Sequence, residues 1–275
     1  MSPSASGSGT ASPVTGATTL CAILADPVHH VRTPQAFNAL MERWNKDVVL
    51  VPVHVAPDQL RTVVDGLRHV RNLAGFVVTV PHKSAALELC DVVSARASAV
   101  GAVNVVRREA DGRLIGETLD GLGFIAGLRH SGIEPRGLHA LMAGAGGAAS
   151  AIAFGLAEAG IASLKICNRT RSRSEELCDR LLRSYPQLVV SVATSDPAGA
   201  GLVVNATSLG LREADPPPFD FERLQPRHIV ADIIMKPAMT PLLLAAQARG
   251  CRICLGAPML DCQLAPMAEF MKIGA

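Results

Sequence analysis

The chain has 275 residues, a formal net charge of +2 and only 3% aromatic residues. That length can bury two modest cores, and the near-neutral charge with few stacking rings argues against a nucleic-acid partner. The seven cysteines are scattered and odd in number, which fits a reducing cytoplasm, and the eight histidines show no metal-ligand spacing, so no metal is expected.

Residues 1–18, rich in Ser, Thr, Gly and Ala, lack both a basic start and an apolar stretch and read as a disordered tail rather than a signal peptide. No apolar run reaches the length of a membrane span, so no membrane partner is expected. "TLCAILAD" then predicts a strand. The polar loop "DPVHHVRTPQAFN" follows, with Thr33 and Pro34 suited to an N-cap and first turn, and Phe37, Leu40, Met41 and Trp44 forming an apolar helical stripe. A strand over "VVLVPVHV", a helix over "DQLRTVVDGLRHVRN" and a strand over "AGFVVTVP" come next. Continuous apolar runs separated by helices predict parallel strands covered on both faces. "VNVVRREADGRLIGET" breaks that pattern, because two strand-like runs around Asp111-Gly112 predict a hairpin.

A second series of strands and helices begins at "GLHALMAGAGG" and runs through "SLKICNRT", "LVVSVAT", "AGLVVNAT" and "HIVADII". Two α/β domains are therefore expected, dividing near residues 120–125. "CRIC" contains a lone CxxC, but its apolar alternation reads as a short strand. The last helix, "APMLDCQLAPMAEFMKIG", fits either domain.

The stretch "LMAGAGGAASAIAFGLAEAG" sets Gly144, Gly146 and Gly147 between an apolar strand and an Ala-rich helix. That is the setting of a dinucleotide site: glycine permits the tight turn and the close approach of a pyrophosphate, and the helix N-terminus supplies N–H groups. At the end of the next strand an NAD site would place an acid for the ribose hydroxyls, whereas this chain reads "NRTRSRS". Arginine in place of the acid suits a 2′-phosphate and points to NADP. For Arg171 and Arg173, a solvated helix start is equally compatible with the pattern.

The segments "GFVVTVPHK", "GAVN", "GETLDGLGF", "GAGGAAS", "NRT", "NATSLG", "KPAMTPLL" and "GAPMLDCQ", in this order, make the chain resemble the shikimate/quinate dehydrogenases from about residue 20 onward. The resemblance implies an N-terminal α/β substrate domain at 19–121, completed by a C-terminal helix at 257–275, and a Rossmann-type NADP-binding domain at 122–256, with the active site in the cleft between them. It implies reversible NADP-dependent reduction of a ring ketone, 3-dehydroshikimate to shikimate chemistry, in the cytoplasmic biosynthesis of aromatic amino acids. It assigns Lys83 and Asp120 as the catalytic pair. A positioned ammonium can stabilise the charge that develops on a carbonyl oxygen and give it a proton. Thr79, Asn104 and Gln263 match substrate-holding positions. Gly144, Ala145, Gly146, Gly147, Ala148, Asn168, Arg169, Thr170, Asn205, Thr207, Ser208, Gly256 and Met259 match cofactor-binding ones.

The chain departs from the family at the carboxylate end. Where the family carries Ser-x-Ser it has Val31 and Thr33, and where a tyrosine precedes the "KP" turn it has Met235. Val77 stands for an asparagine, Val105 for a threonine, Thr118-Leu119 for Asn-Thr and Leu264 for a glycine. The expected enzyme therefore uses shikimate weakly or in altered fashion. The alternatives are a dehydrogenase for a related cyclic substrate lacking the carboxylate, and a non-catalytic NADP-binding regulator. A monomer or a homodimer is compatible with the sequence.

Overall fold

The computed structural model describes residues 13–212 and 214–274. Most of the expected tail, residues 1–12, lies outside the described residues. Residues 15–18 form a turn rather than loose chain, with the Thr15 N–H donating to Thr18 Oγ1 at 2.9 Å and Thr18 buried.

The first series comprises β1 (Thr19–Ala25), α1 (Thr33–Arg43), β2 (Val48–His54), α2 (Leu60–Leu67), β3 (Leu73–Val78), α3 (Lys83–Leu87), β4 (Val92–Val93), α4 (Ala95–Val100), β5 (Val105–Arg108) and β6 (Leu114–Glu117). Its sheet runs in the order β2-β1-β3-β5-β6-β4. β1, β2 and β3 are parallel, as their apolar runs predict, and β5 and β6 are the antiparallel hairpin. Three short elements, α3, β4 and α4, carry too few residues to show a period in the sequence. The helix expected over 58–72 is shorter, because a 3₁₀ turn precedes α2 and turns follow Leu67. The expected cap on α1 is also corrected. Arg32 occupies the cap position with no side-chain bond, and Thr33 is the first helical residue, 7% exposed.

The second series comprises α5 (Asp120–His130), β7 (His139–Ala143), α6 (Gly147–Glu158), β8 (Ser163–Cys167), α7 (Arg171–Ser184), β9 (Val189–Val192), β10 (Leu202–Asn205), β11 (Ile229–Asp232), α8 (Pro241–Ala248), β12 (Arg252–Cys254) and α9 (Ala257–Phe270). All pairs in its sheet are parallel, in the order β12-β11-β10-β7-β8-β9. The chain starts in the middle and winds outward on both sides, so the order reverses between β7 and β10. In such a sheet ligands bind at that switch point, beyond the carboxyl ends of the strands.

The question of the last helix is resolved by its packing. Leu260, Leu264, Met267 and Met271 of α9 and the chain just after it join the core of β1 and α1, with Cys21, Ile23, Phe37 and Val77. α9 therefore returns to the first sheet. α5 lies between α6 and α9, and the close approach needs glycine: a Cβ on Gly123 would sit 2.6 Å from the Met259 carbonyl oxygen. Among the described residues no helix is long and apolar enough to cross a membrane, and no group of three or more His, Cys, Asp or Glu is placed to hold a metal. The seven cysteines are free, and the Cys254 thiol faces Ser131 Oγ at 3.5 Å.

Candidate active site

The chain leaves β3 through Thr79 and a tight turn in which the His82 N–H donates to the Thr79 carbonyl at 2.8 Å. The buried His82 ring is fixed to the Val55 carbonyl at 2.8 Å, and Lys83 opens α3. Asn104 immediately precedes β5 and Asp120 is the first residue of α5, both almost fully buried. Three separate elements thus deliver three polar side chains to one point. Lys83 Nζ donates to Asp120 Oδ2, and Asn104 Nδ2 donates to Asp120 Oδ1 at 2.8 Å. The same Asn104 amide reaches Gln263 Oε1 on α9 at 3.2 Å, while its Oδ1 accepts the Leu119 N–H at 2.8 Å. Both Asp120 oxygens are occupied, so the carboxylate holds the ammonium in one direction. The lysine side chain keeps 12% of its surface exposed against 5% for Asp120.

Lys83, Asp120, Asn104, Gln263, Thr79 and Thr33 form the polar side of a cavity of about 160 Å³. Gly256, Met259 and Met235 also line it, so the structure brings together the catalytic and substrate-binding residues singled out from the sequence, with one exception. Val31 is the exception. It is buried in the core of β1 and α1 and does not line the cavity. The rest of the wall is apolar, made by Ile23, Val77, Met235, Leu260 and Met267. Sequence reading missed Ile23, Leu260 and Met267, whose apolar periodicity marks them only as core. Lys83 is the one cationic side chain on the lining among the described residues.

The cofactor side is built at the switch point. Gly144 follows β7 with φ +117°, and a Cβ there would lie 2.7 Å from the Ala206 carbonyl oxygen, so only glycine fits. A Cβ on Gly146 would meet nothing within 4 Å, which leaves room for a large group to approach. The Ser150 N–H donates to the Gly146 carbonyl at 2.8 Å, the first bond of α6, so the N–H groups before it have no carbonyl partner in the helix. A Cβ on Gly147 would stand 3.0 Å from Lys83 Cβ, so the glycine turn abuts the lysine stem. Ala145, Gly146, Gly147 and Ala148 line a cleft of about 600 Å³ together with Lys83. A neighbouring cleft of about 760 Å³ is lined by Asn168, Arg169, Thr170, Arg173, Thr207 and Ser208. Arg171 faces Glu175 at 2.8 Å, is 77% exposed and lines neither cleft.

Asn205, at the end of β10, organises the loop beneath these clefts. Its Oδ1 accepts the Thr207 N–H and hydroxyl at 3.1 and 2.7 Å, and its Nδ2 donates to Asp232 Oδ2 at 3.1 Å. Asp232 also accepts the Thr240 hydroxyl at 2.8 Å and the Ile234 N–H at 3.0 Å. Burial pushes its carboxyl above the usual carboxylate range, against those hydrogen bonds. Sequence reading passed over Asp232, because a single acid ending a strand carries no pattern.

A doubly wound sheet with an arginine-bordered dinucleotide crevice, set against a buried lysine–carboxylate pair, defines an NADP-dependent oxidoreductase acting on a hydroxyl or ketone carbon. Residues 23–106 match the family model of the shikimate dehydrogenase substrate-binding domain. The shikimate dehydrogenase (NADP(+)) of Rubrobacter xylanophilus is 40% identical over 254 residues, spanning 90% of this chain and 88% of that protein. The shikimate 5-dehydrogenase of Thermus thermophilus, solved with NADP(H) and shikimate, superposes with a TM-score of 0.83 at 32% identity, covering 92% of this chain and 93% of that one. The ligand-free 5-ketofructose reductase of a Gluconobacter species gives 0.81 at 32% identity, covering 92% of each chain. The chain belongs to the shikimate dehydrogenase family.

Proposed function

We propose that this enzyme reduces a ring ketone of a shikimate-type cyclic hydroxy acid reversibly with NADPH, and that it uses shikimate itself weakly. The carrying observation is the Lys83–Asp120–Asn104 network beside the glycine turn of α6. The residues fit NADP: Gly146 leaves room for a pyrophosphate at the α6 N-terminus, and Arg169, on the lining of the neighbouring cleft, supplies a cation suited to a 2′-phosphate. Bound NADPH supplies the hydride. Lys83 stabilises the oxygen on which charge develops and gives it a proton, Asp120 aims the lysine, and Thr79, Asn104 and Gln263 hold ring hydroxyls. Asn205, Thr207 and Ser208 form the floor under the cofactor, with Gly256 and Met259 beside the nicotinamide. The substrate domain takes residues 19–121 and 257–275 and the cofactor domain 122–256, with the boundary in the first turn of α5. Work as a monomer or homodimer in the reducing cytoplasm completes this reading.

One observation favours the second reading, a substrate without a carboxylate. At the carboxylate end only Thr33 brings a hydroxyl to the cavity; Ile23, Val77, Met235, Leu260 and Met267 offer no donor to an anion, and burying an under-partnered carboxylate is costly. The 5-ketofructose reductase, with the same fold, is named for a keto sugar. A bare regulator is disfavoured, since a sensor has no use for a buried, oriented lysine–aspartate pair. The test is NADPH oxidation by purified protein over a panel of ring ketones with and without a carboxylate. Turnover supports the enzyme readings, and NADPH binding without any turnover supports the regulator.

A further inference from the structure

Arg180 lies on α7 seven residues after Arg173, so the two share a helix face about two turns apart. Both line the 600 Å³ cleft that holds the glycine turn. One Nη of Arg180 donates to Ser150 Oγ, in the first turns of α6, at 2.9 Å. Its Nε is buried and has no partner, and no carboxylate lies within 4.0 Å of its guanidinium among the described residues. Gly101 flanks it from the first sheet's side, since a Cβ there would stand 3.9 Å from Arg180 Cζ. Burial lowers the guanidinium pKa, with Glu176 opposing, yet arginine stays charged.

Glu176 lines the same cleft but forms no ion pair with Arg180, and a half-buried cation without one is costly unless an anion completes it. The free N–H groups of the α6 N-terminus converge on the same cleft. We infer that Arg180 is a cofactor-binding residue whose guanidinium takes an oxygen of the NADP pyrophosphate from the α7 side of the cleft. This rests on the NADP reading. It gives Arg180 a different job from Arg169: the pyrophosphate is common to NADPH and NADH, whereas the 2′-phosphate is not. The planar guanidinium suits two-point phosphate contact, which lysine cannot reproduce.

Fluorescence or calorimetric titration of NADPH, NADH and inorganic pyrophosphate separates the possibilities. Arg180→Met keeps the apolar stem and should weaken all three by about tenfold or more, the worth of a charge-assisted bond. Arg180→Lys should lose several-fold on both nucleotides. Binding of both nucleotides to Arg180→Met at wild-type strength would overturn the inference and leave Arg180 as packing between α4 and α7. A loss confined to NADPH would overturn it too, by moving Arg180 to the 2′-phosphate. Should Arg180→Met fail to fold, the lysine variant decides, and unchanged affinity for both nucleotides contradicts the assignment. Wild-type protein that bound no NADPH would break the NADP reading, and this inference with it.

Discussion

The two sides of one small cavity follow opposite rules. On the side that faces the glycine turn, Lys83, Asp120, Asn104 and Gln263 satisfy one another, and each is delivered by a different element. Around them Val77, Met235, Leu260 and Met267 offer only carbon and sulfur, with Thr33 adding one hydroxyl. The first side is set for chemistry on a carbonyl oxygen. The second offers few partners to a charge on the rest of the substrate, which the proposed weak use of shikimate rests on. Chemistry and recognition have therefore been separated within a cavity of about 160 Å³.

The largest effect is expected on the reacting side. Lys83→Ala should lower kcat by about a hundredfold or more, the usual worth of a positioned acid–base group, with NADPH affinity near wild type. A near wild-type rate on the best substrate would break the comparison at its polar end. Next comes Arg169→Ala, which alters the cofactor without touching either side. It should weaken NADPH by about ten- to a hundredfold in a titration and leave NADH nearly unchanged. Equal losses would show that Arg169 reads something other than the phosphate.

The network that joins the cofactor floor to the apolar wall gives a smaller effect, read in stability. Asp232→Asn turns an acceptor into a donor facing Asn205, Thr240 or the Ile234 N–H. One buried donor left without an acceptor costs about 1–3 kcal/mol, so Tm should fall by several degrees in a calorimetric scan. Binding of NADPH and NADH should weaken together as the Asn205 loop loosens. The smallest effect tests the apolar side. Val77→Asn with Met235→Tyr places two donors on that wall and should lower KM for shikimate by about tenfold, with kcat moving much less. Val31 is left alone, because it sits in the core and a serine there would bury a hydroxyl.

How legible these features were depended on the kind of signal each one leaves. Gly144 was legible because close approach and positive φ there demand glycine. The hairpin at Asp111-Gly112 was legible for the same reason, and Gly112 has φ +88°. Lys83 and Asp120 are 37 residues apart and show no pattern of their own, so only the family resemblance linked them before the structure did. The Thr33 cap and the placing of Val31 failed because loop geometry is set by tertiary packing. The same residue types serve as cap, wall or core. Asp232 and Arg180 were missed because their importance lies in what surrounds them in space.

The most direct test compares wild-type kcat/KM, with NADPH at fixed pH, for 3-dehydroshikimate and for the same ring ketone lacking its carboxylate. A carboxylate end with Thr33 as its one hydroxyl predicts values within about tenfold of each other, or a preference for the neutral ring. A site that gripped the acid through two charge-assisted bonds, each worth about 1.5–3 kcal/mol, would instead favour 3-dehydroshikimate by more than about a hundredfold, and that result would contradict the division of the cavity.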